Sequence, residues 1–165
     1  MTLLITPQEV FNRTQLDNNI DHSELKPYIE DMHTEYLNSL LGDTLARKIK
    51  ADFSNDTLVD SYLEVYEIMK LVLIYASAGE YCLFAQYKVS NGGIFKLTSD
   101  RGEIVSSSEV EALSKRYKSK AQVYISELER YICSNIANLP EYSTQDNNWD
   151  KRPSRGRSQN SGWTF

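Results

Sequence analysis

Two histidines, two cysteines and several closely spaced carboxylates are the side chains of this 165-residue chain whose types permit catalysis or metal binding. His22 and His33 are eleven residues apart. On one helix they share a face but stand about three turns from each other, too far to hold a common ion. His33 and Glu35 fall on different faces, and no HxxxE-type pair is present. Glu64 with Glu67, and Asp56 with Asp60, recur at helical steps, which a solvated helix face explains better than a carboxylate pair built for acid–base work. Cys82 and Cys133 sit inside apolar helical patterns and read as two reduced core thiols, with no CxxC and no disulfide framework. No GxxxxGK[ST], GxGxxG or GxSxG occurs. Gly92-Gly93 is a turn signal rather than a phosphate loop, because no helix with a suitable lysine follows it. The expectation is a protein that is not an enzyme, with no catalytic residue, no cofactor and no metal.

The groups suited to recognition concentrate at the C-terminal end. Asn138 to Phe165 reads NLPEYSTQDNNWDKRPSRGRSQNSGWTF, without any apolar period. It holds the clustered cations Lys151, Arg152, Arg155 and Arg157 and the aromatics Trp149, Trp163 and Phe165. Such a composition does not bury enough apolar surface to offset the entropy of ordering, so the segment orders only against a partner. Its aromatics are expected to anchor in pockets of a neighbouring subunit, and its cations to meet phosphates or an acidic protein face. Four charges in a mixed arm are a weak signal for DNA, so the protein face is the preferred reading. Charge is uneven along the chain: residues 1–100 carry 8 basic and 15 acidic side chains, whereas residues 101–165 carry 10 and 8. The acidic body is a poor polyanion binder.

The elements that must position these groups are helical. Thr6, Pro7 and Glu9 form a capping box with proline at the first helical position, starting a short helix. Asp21 to Glu24 is a second box. Leu25, Tyr28, Ile29, Met32, Tyr36, Leu37, Leu40 and Leu41 then follow helical steps, with a kink or late start expected at Pro27 and a helix end at Gly42. Asp43 or Thr44 caps a short helix through Leu45, Ile49 and Phe53. The longest apolar pattern starts at Asn55-Asp56 and runs to about Tyr87, through Tyr62, Val65, Tyr66, Met69, Val72, Leu73, Ala76 and Leu83. It is apolar nearly all round from Leu71 to Ala78, which predicts a central helix. Ser107 or Ser108 caps the last helix, Glu109 to about Ala137. Its predicted stripe is Val110, Leu113, Tyr117, Ala121, Tyr124, Leu128, Tyr131 or Ile132, and Ile136. Leu139-Pro140 ends that helix.

Between the two long helices, Lys88 to Ser108 breaks the period. Asn91, Gly92, Gly93, Ile94 and Phe95 carry turn chemistry between apolar residues, so a two-stranded hairpin or an extended excursion is expected, long enough to be functional. The tyrosines of the helical patterns are expected to bury their rings and point their hydroxyls to solvent at the bundle rim, or to lie at subunit contacts. Lys70 to Ala85 is shorter than a membrane span and contains Glu80, and the N-terminus lacks a signal-peptide pattern, so a soluble intracellular protein with no membrane partner is expected. The fold class is all-α: a helical bundle with two long and several short helices, residues 1–137, and an extended C-terminal arm, residues 138–165.

The start ITPQEVFNRTQLDNNID, the helix LKPYIEDMHTEYLNSLLGDTL, the loop YKVSNGGI and the helix AQVYISELERYI resemble, in pattern and order, the head–tail connector (adaptor) proteins of tailed bacteriophages. The likeness covers Leu4 to Ala137 and is greatest to the portal-proximal ring proteins of crAss-like phages of Bacteroidetes hosts. It implies a structural virion protein, made in the host cytoplasm and placed in the phage neck. It also implies a ring, usually of twelve copies, that docks beneath the portal, carries the next neck or tail ring and lets genomic DNA pass without sequence-specific binding. On that likeness the loop around Asn91 to Phe95 contacts protein or the channel, and the arm contacts neighbours. A different class of reading is a helical adaptor or binding module that docks on one protein partner through its arm.

Overall fold

The computed structural model describes residues 2–16, 20–85, 87–90, 93–96 and 106–143, with backbone alone at 87–90, 93–96 and 143. In chain order these form α1 (Pro7–Arg13), α2 (His22–Ser54), α3 (Asp60–Phe84), β1 (Tyr87–Ser90), β2 (Gly93–Lys96), α4 (Ser107–Ser134), a 3-10 turn (Ile136–Asn138) and α5 (Pro140–Ser143). The architecture is an all-α bundle, as the periodicity requires.

Thr6 starts α1: its Oγ1 accepts from the Glu9 amide at 3.3 Å while Glu9 Oε2 accepts from the Thr6 amide at 2.8 Å. Lys70 Nζ reaches the same carboxylate at 2.7 Å and ties α1 to α3. Burial pushes the Glu9 carboxyl up, but the Lys70 and Thr6 bonds outweigh it and hold the group below its usual range.

Asp21 caps α2 by accepting from the Ser23 amide at 2.8 Å. The expected kink at Pro27 is absent; α2 runs through it and breaks instead at Gly42. Pro27 lies in the second turn, where it forfeits one backbone bond near the helix start. Gly42 adopts φ 74° and ψ 165°, a conformation essentially restricted to glycine. Two helical limbs therefore meet at Gly42.

At the other end of α2, the Thr57 amide donates to Asp52 O at 2.9 Å and the Asp56 amide to Phe53 O at 3.3 Å. These are the two bonds of a Schellman termination, with Asp56 at φ 56° where glycine is usual. This termination consumes Asn55 and Asp56, so α3 begins at Asp60 rather than at the expected Asn55-Asp56. Within α3, Val72 to Gly79 are all buried, which makes it the central helix.

α4 packs along α3 more extensively than any other pair of elements. Gly79 permits this closeness: a Cβ there would stand 2.9 Å from Lys118 Cγ and 3.3 Å from the Ser114 carbonyl. Ser114 Oγ donates to Gly79 O at 2.7 Å. Ser106, not Ser107 or Ser108, caps α4 in a full box with Glu109. The buried stripe of α4 is Ser114, Tyr117, Ala121, Ile125, Leu128 and Ile132. Leu113 and Ile136, expected inside, are exposed. A polar side chain replaces Leu113 at the inward position because Gly79 satisfies the Ser114 hydroxyl.

Leu139 and Tyr142 are buried, so the core continues past Ala137, where the sequence suggested the body would end. α4 ends at Ser134, capped by Asn135 and short of the expected Ala137, and the 3-10 turn follows it; Pro140 opens α5, which packs on α2.

Candidate functional site

Trp149, Lys151, Arg152, Arg155, Arg157, Trp163 and Phe165, with Asn91 and Gly92 of the loop, lie outside the described residues. Gly93, Ile94 and Phe95 belong to β2, antiparallel to β1, with Val89 opposite Ile94 and Ser90 opposite Gly93. The expected excursion thus holds a pair of antiparallel strands, which follow α3 and precede α4 in chain order.

The groups suited to chemistry do not converge. Among the described residues no set of three His, Cys, Asp or Glu side chains is placed to share a metal ion. His22 lies against Phe11, ring centroids 5.5 Å apart. His33 is 1 % exposed, and neither ring nitrogen has a hydrogen-bond partner among the described residues. Burial, and to a lesser extent Lys50, depress its pKa to about 4, so at neutral pH it is an uncharged core side chain. Cys82 is half-buried, and burial pushes its thiol up. Cys133, expected in the core, is exposed, because Leu128 and Ile132 set the inward face of α4.

The tyrosines depart from expectation informatively. Three hydroxyls reach chain rather than solvent. Tyr66 Oη donates to Leu4 O at 3.3 Å, Tyr117 Oη accepts from the Gln15 amide at 3.1 Å, and Tyr62 Oη donates to Glu141 Oε2 at 2.6 Å. Each bond spans more than sixty residues of sequence and fastens a segment outside α2, α3 and α4 to the central pair. Tyr75 stacks on Tyr124 with centroids 5.6 Å apart and planes 4° apart, and lies 6.4 Å from Tyr117. No pattern of apolar spacing identifies these partners.

Two surface features were not legible in the sequence. One is a cleft of about 320 Å³ between the end of α1 and α4, bordered by Asn12, Arg13, Gln15, Arg116, Tyr117 and Lys120. Its three cations make no ion pair among the described residues; Lys120 Nζ instead lies 5.0 Å from the Tyr75 ring centroid. The other is the outward face of α3 near its start, where Val59 and Leu63 are exposed beside Asp60 and Glu64. The signals for both were present as helical spacing, but only the packing separates outward from inward faces.

The arrangement defines an all-α helical bundle. The chain belongs to DUF6712, a family of unknown function, whose model matches residues 37–152. No curated protein and no solved structure matches it. No helix among the described residues is long and apolar enough to cross a membrane.

Proposed function

We propose that this chain is a structural virion protein that forms a ring below the portal, joins the phage capsid to its tail and extends the DNA channel. The observation that carries the reading is the placement of the β1–β2 hairpin between the two tightly packed helices α3 and α4, the position of the projecting excursion in the connectors that the sequence resembles. The charge distribution supports it. The N-terminal hundred residues are acidic, and a wall of like charge lets DNA slide without adhering. The basic aromatic arm beyond Ser143 suits an adjacent protein subunit. Portal protein, further neck or tail rings and other copies of the chain are its partners, and no catalytic step is assigned to it.

Negative-stain microscopy of the full chain mixed with its cognate portal protein tests this. A closed ring coaxial with the portal is expected. Formation only of a one-to-one complex with a non-viral protein would overturn the reading in favour of a helical adaptor that docks through its arm.

A further inference from the structure

Six large apolar side chains stand exposed among the described residues, and four of them fall on two oppositely charged stripes. Leu113, Arg116, Lys120 and Val123 follow steps of three, four and three along α4, so they share one face. Val123 is 65 % exposed, and Arg13 stands across the cleft from Arg116 and Lys120. On the other stripe, Val59 is 58 % exposed at the start of α3, and Asp60, Leu63 and Glu64 follow it on the outward face. No ion pair among the described residues uses Arg13, Arg116, Lys120, Asp60 or Glu64. Arg116 with Lys120, and Asp60 with Glu64, are like charges one helical turn apart, which repel within a copy.

The two stripes do not meet within one chain. Tyr75 lies by Tyr117 and Tyr124 and Gly79 by Ser114, so α3 and α4 run antiparallel. Asp60 and Glu64 at the start of α3 therefore lie toward the end of α4, past Val123, while Leu113, Arg116 and Lys120 lie in its first half. We propose that the α4 stripe of one copy docks on the α3 stripe of the next, pairing Arg116 and Lys120 with Asp60 and Glu64 and covering Leu113 and Val123 against Val59 and Leu63. A second copy is the occupant that carries both complementary halves. Because the two patches differ, the contact is heterologous and propagates into a ring or a filament rather than stopping at two. The assignment rests on the ring reading above and names its subunit interface.

Sedimentation velocity of the full chain across concentration, at low and high salt, tests it, with circular dichroism confirming that each variant folds. Wild type is expected to self-associate more strongly at low salt. Arg116→Glu with Lys120→Glu, or Asp60→Lys with Glu64→Lys, should each weaken association by about tenfold or more, and an equimolar mixture of the two variants should restore it. Assemblies that form and ignore both reversals would overturn the stripe pairing and leave the ring reading standing. A wild type that stays monomeric at every concentration would also overturn the pairing, and the portal complex would decide the ring separately. Association that is charge-sensitive but stops at two copies would overturn the head-to-tail contact and count against the ring.

Discussion

Tyr62 Oη and Glu141 Oε2 are joined by a 2.6 Å hydrogen bond that fastens α5 to the start of α3. Lys48 Nζ sits 4.7 Å from the centroid of the same tyrosine ring and pairs with Asp52 at 2.8 Å, so both limb and terminus meet at one phenol. This cluster, with buried Leu139 and Tyr142, makes the segment after α4 part of the body.

The Tyr62 phenol titrates high, pushed up to about 12 by burial, then by the Glu141 bond and charge, and by Asp52. Its folded value lies above the ordinary value of 10. The stabilisation of the neutral form is therefore complete below pH 10 and lost as pH rises through about 12. Glu141→Gln removes the charge and should move the Tyr62 transition back toward 10, read by phenolate absorbance against a Tyr62→Phe control. Tyr62→Phe itself should cost about 1 kcal/mol in urea denaturation.

His33 has the opposite sign. Its pKa is lowered from 6.5 to about 4, so the stability held by the neutral ring is complete above 6.5 and lost as pH falls toward 4. His33→Leu should flatten that acid limb by about 2–3 kcal/mol between pH 7 and pH 4. At pH 7 it should be neutral or stabilising, since two buried ring nitrogens without partners among the described residues are replaced by an apolar side chain. Urea denaturation of wild type and variant at both pH values checks it. An unchanged acid limb would remove His33 as its source.

Gly42→Ala should destabilise by about 1–3 kcal/mol, because the added Cβ disfavours φ 74° with ψ 165°. Thermal unfolding should register about 2–4 °C for each kcal/mol. A variant as stable as wild type would mean that the two limbs of α2 join without this backbone conformation.

Much of the fold was legible because its signals are local. The Thr6 box, the stop at Gly42, the central burial of α3 and the hairpin chemistry around Gly93 depend on neighbours a few residues away, and each appears as expected. The misplacements share a cause. Leu113 is on the apolar stripe that the spacing predicts, yet Ser114, whose hydroxyl bonds Gly79 O, is inside and the leucine is out. The helix start at Asn55-Asp56 failed because those residues terminate the preceding helix. The loop residues Asn91 and Gly92 and the arm aromatics lie outside the described residues, so the candidate site read from sequence is met only at Gly93, Ile94 and Phe95.

By itself the sequence determined the class of the protein, an all-α chain with a central apolar helix, an interrupted period before the last helix and a basic, aromatic terminus. Backbone hydrogen bonds, caps and apolar spacing operate over single turns, so their record is written in consecutive residues. Only the tertiary structure decided which tyrosine hydroxyls hold Leu4, Gln15 and Glu141, and which faces of α3 and α4 point outward. Those choices follow from side chains brought together across 35 to 102 residues of sequence, where close packing rather than spacing selects the partner.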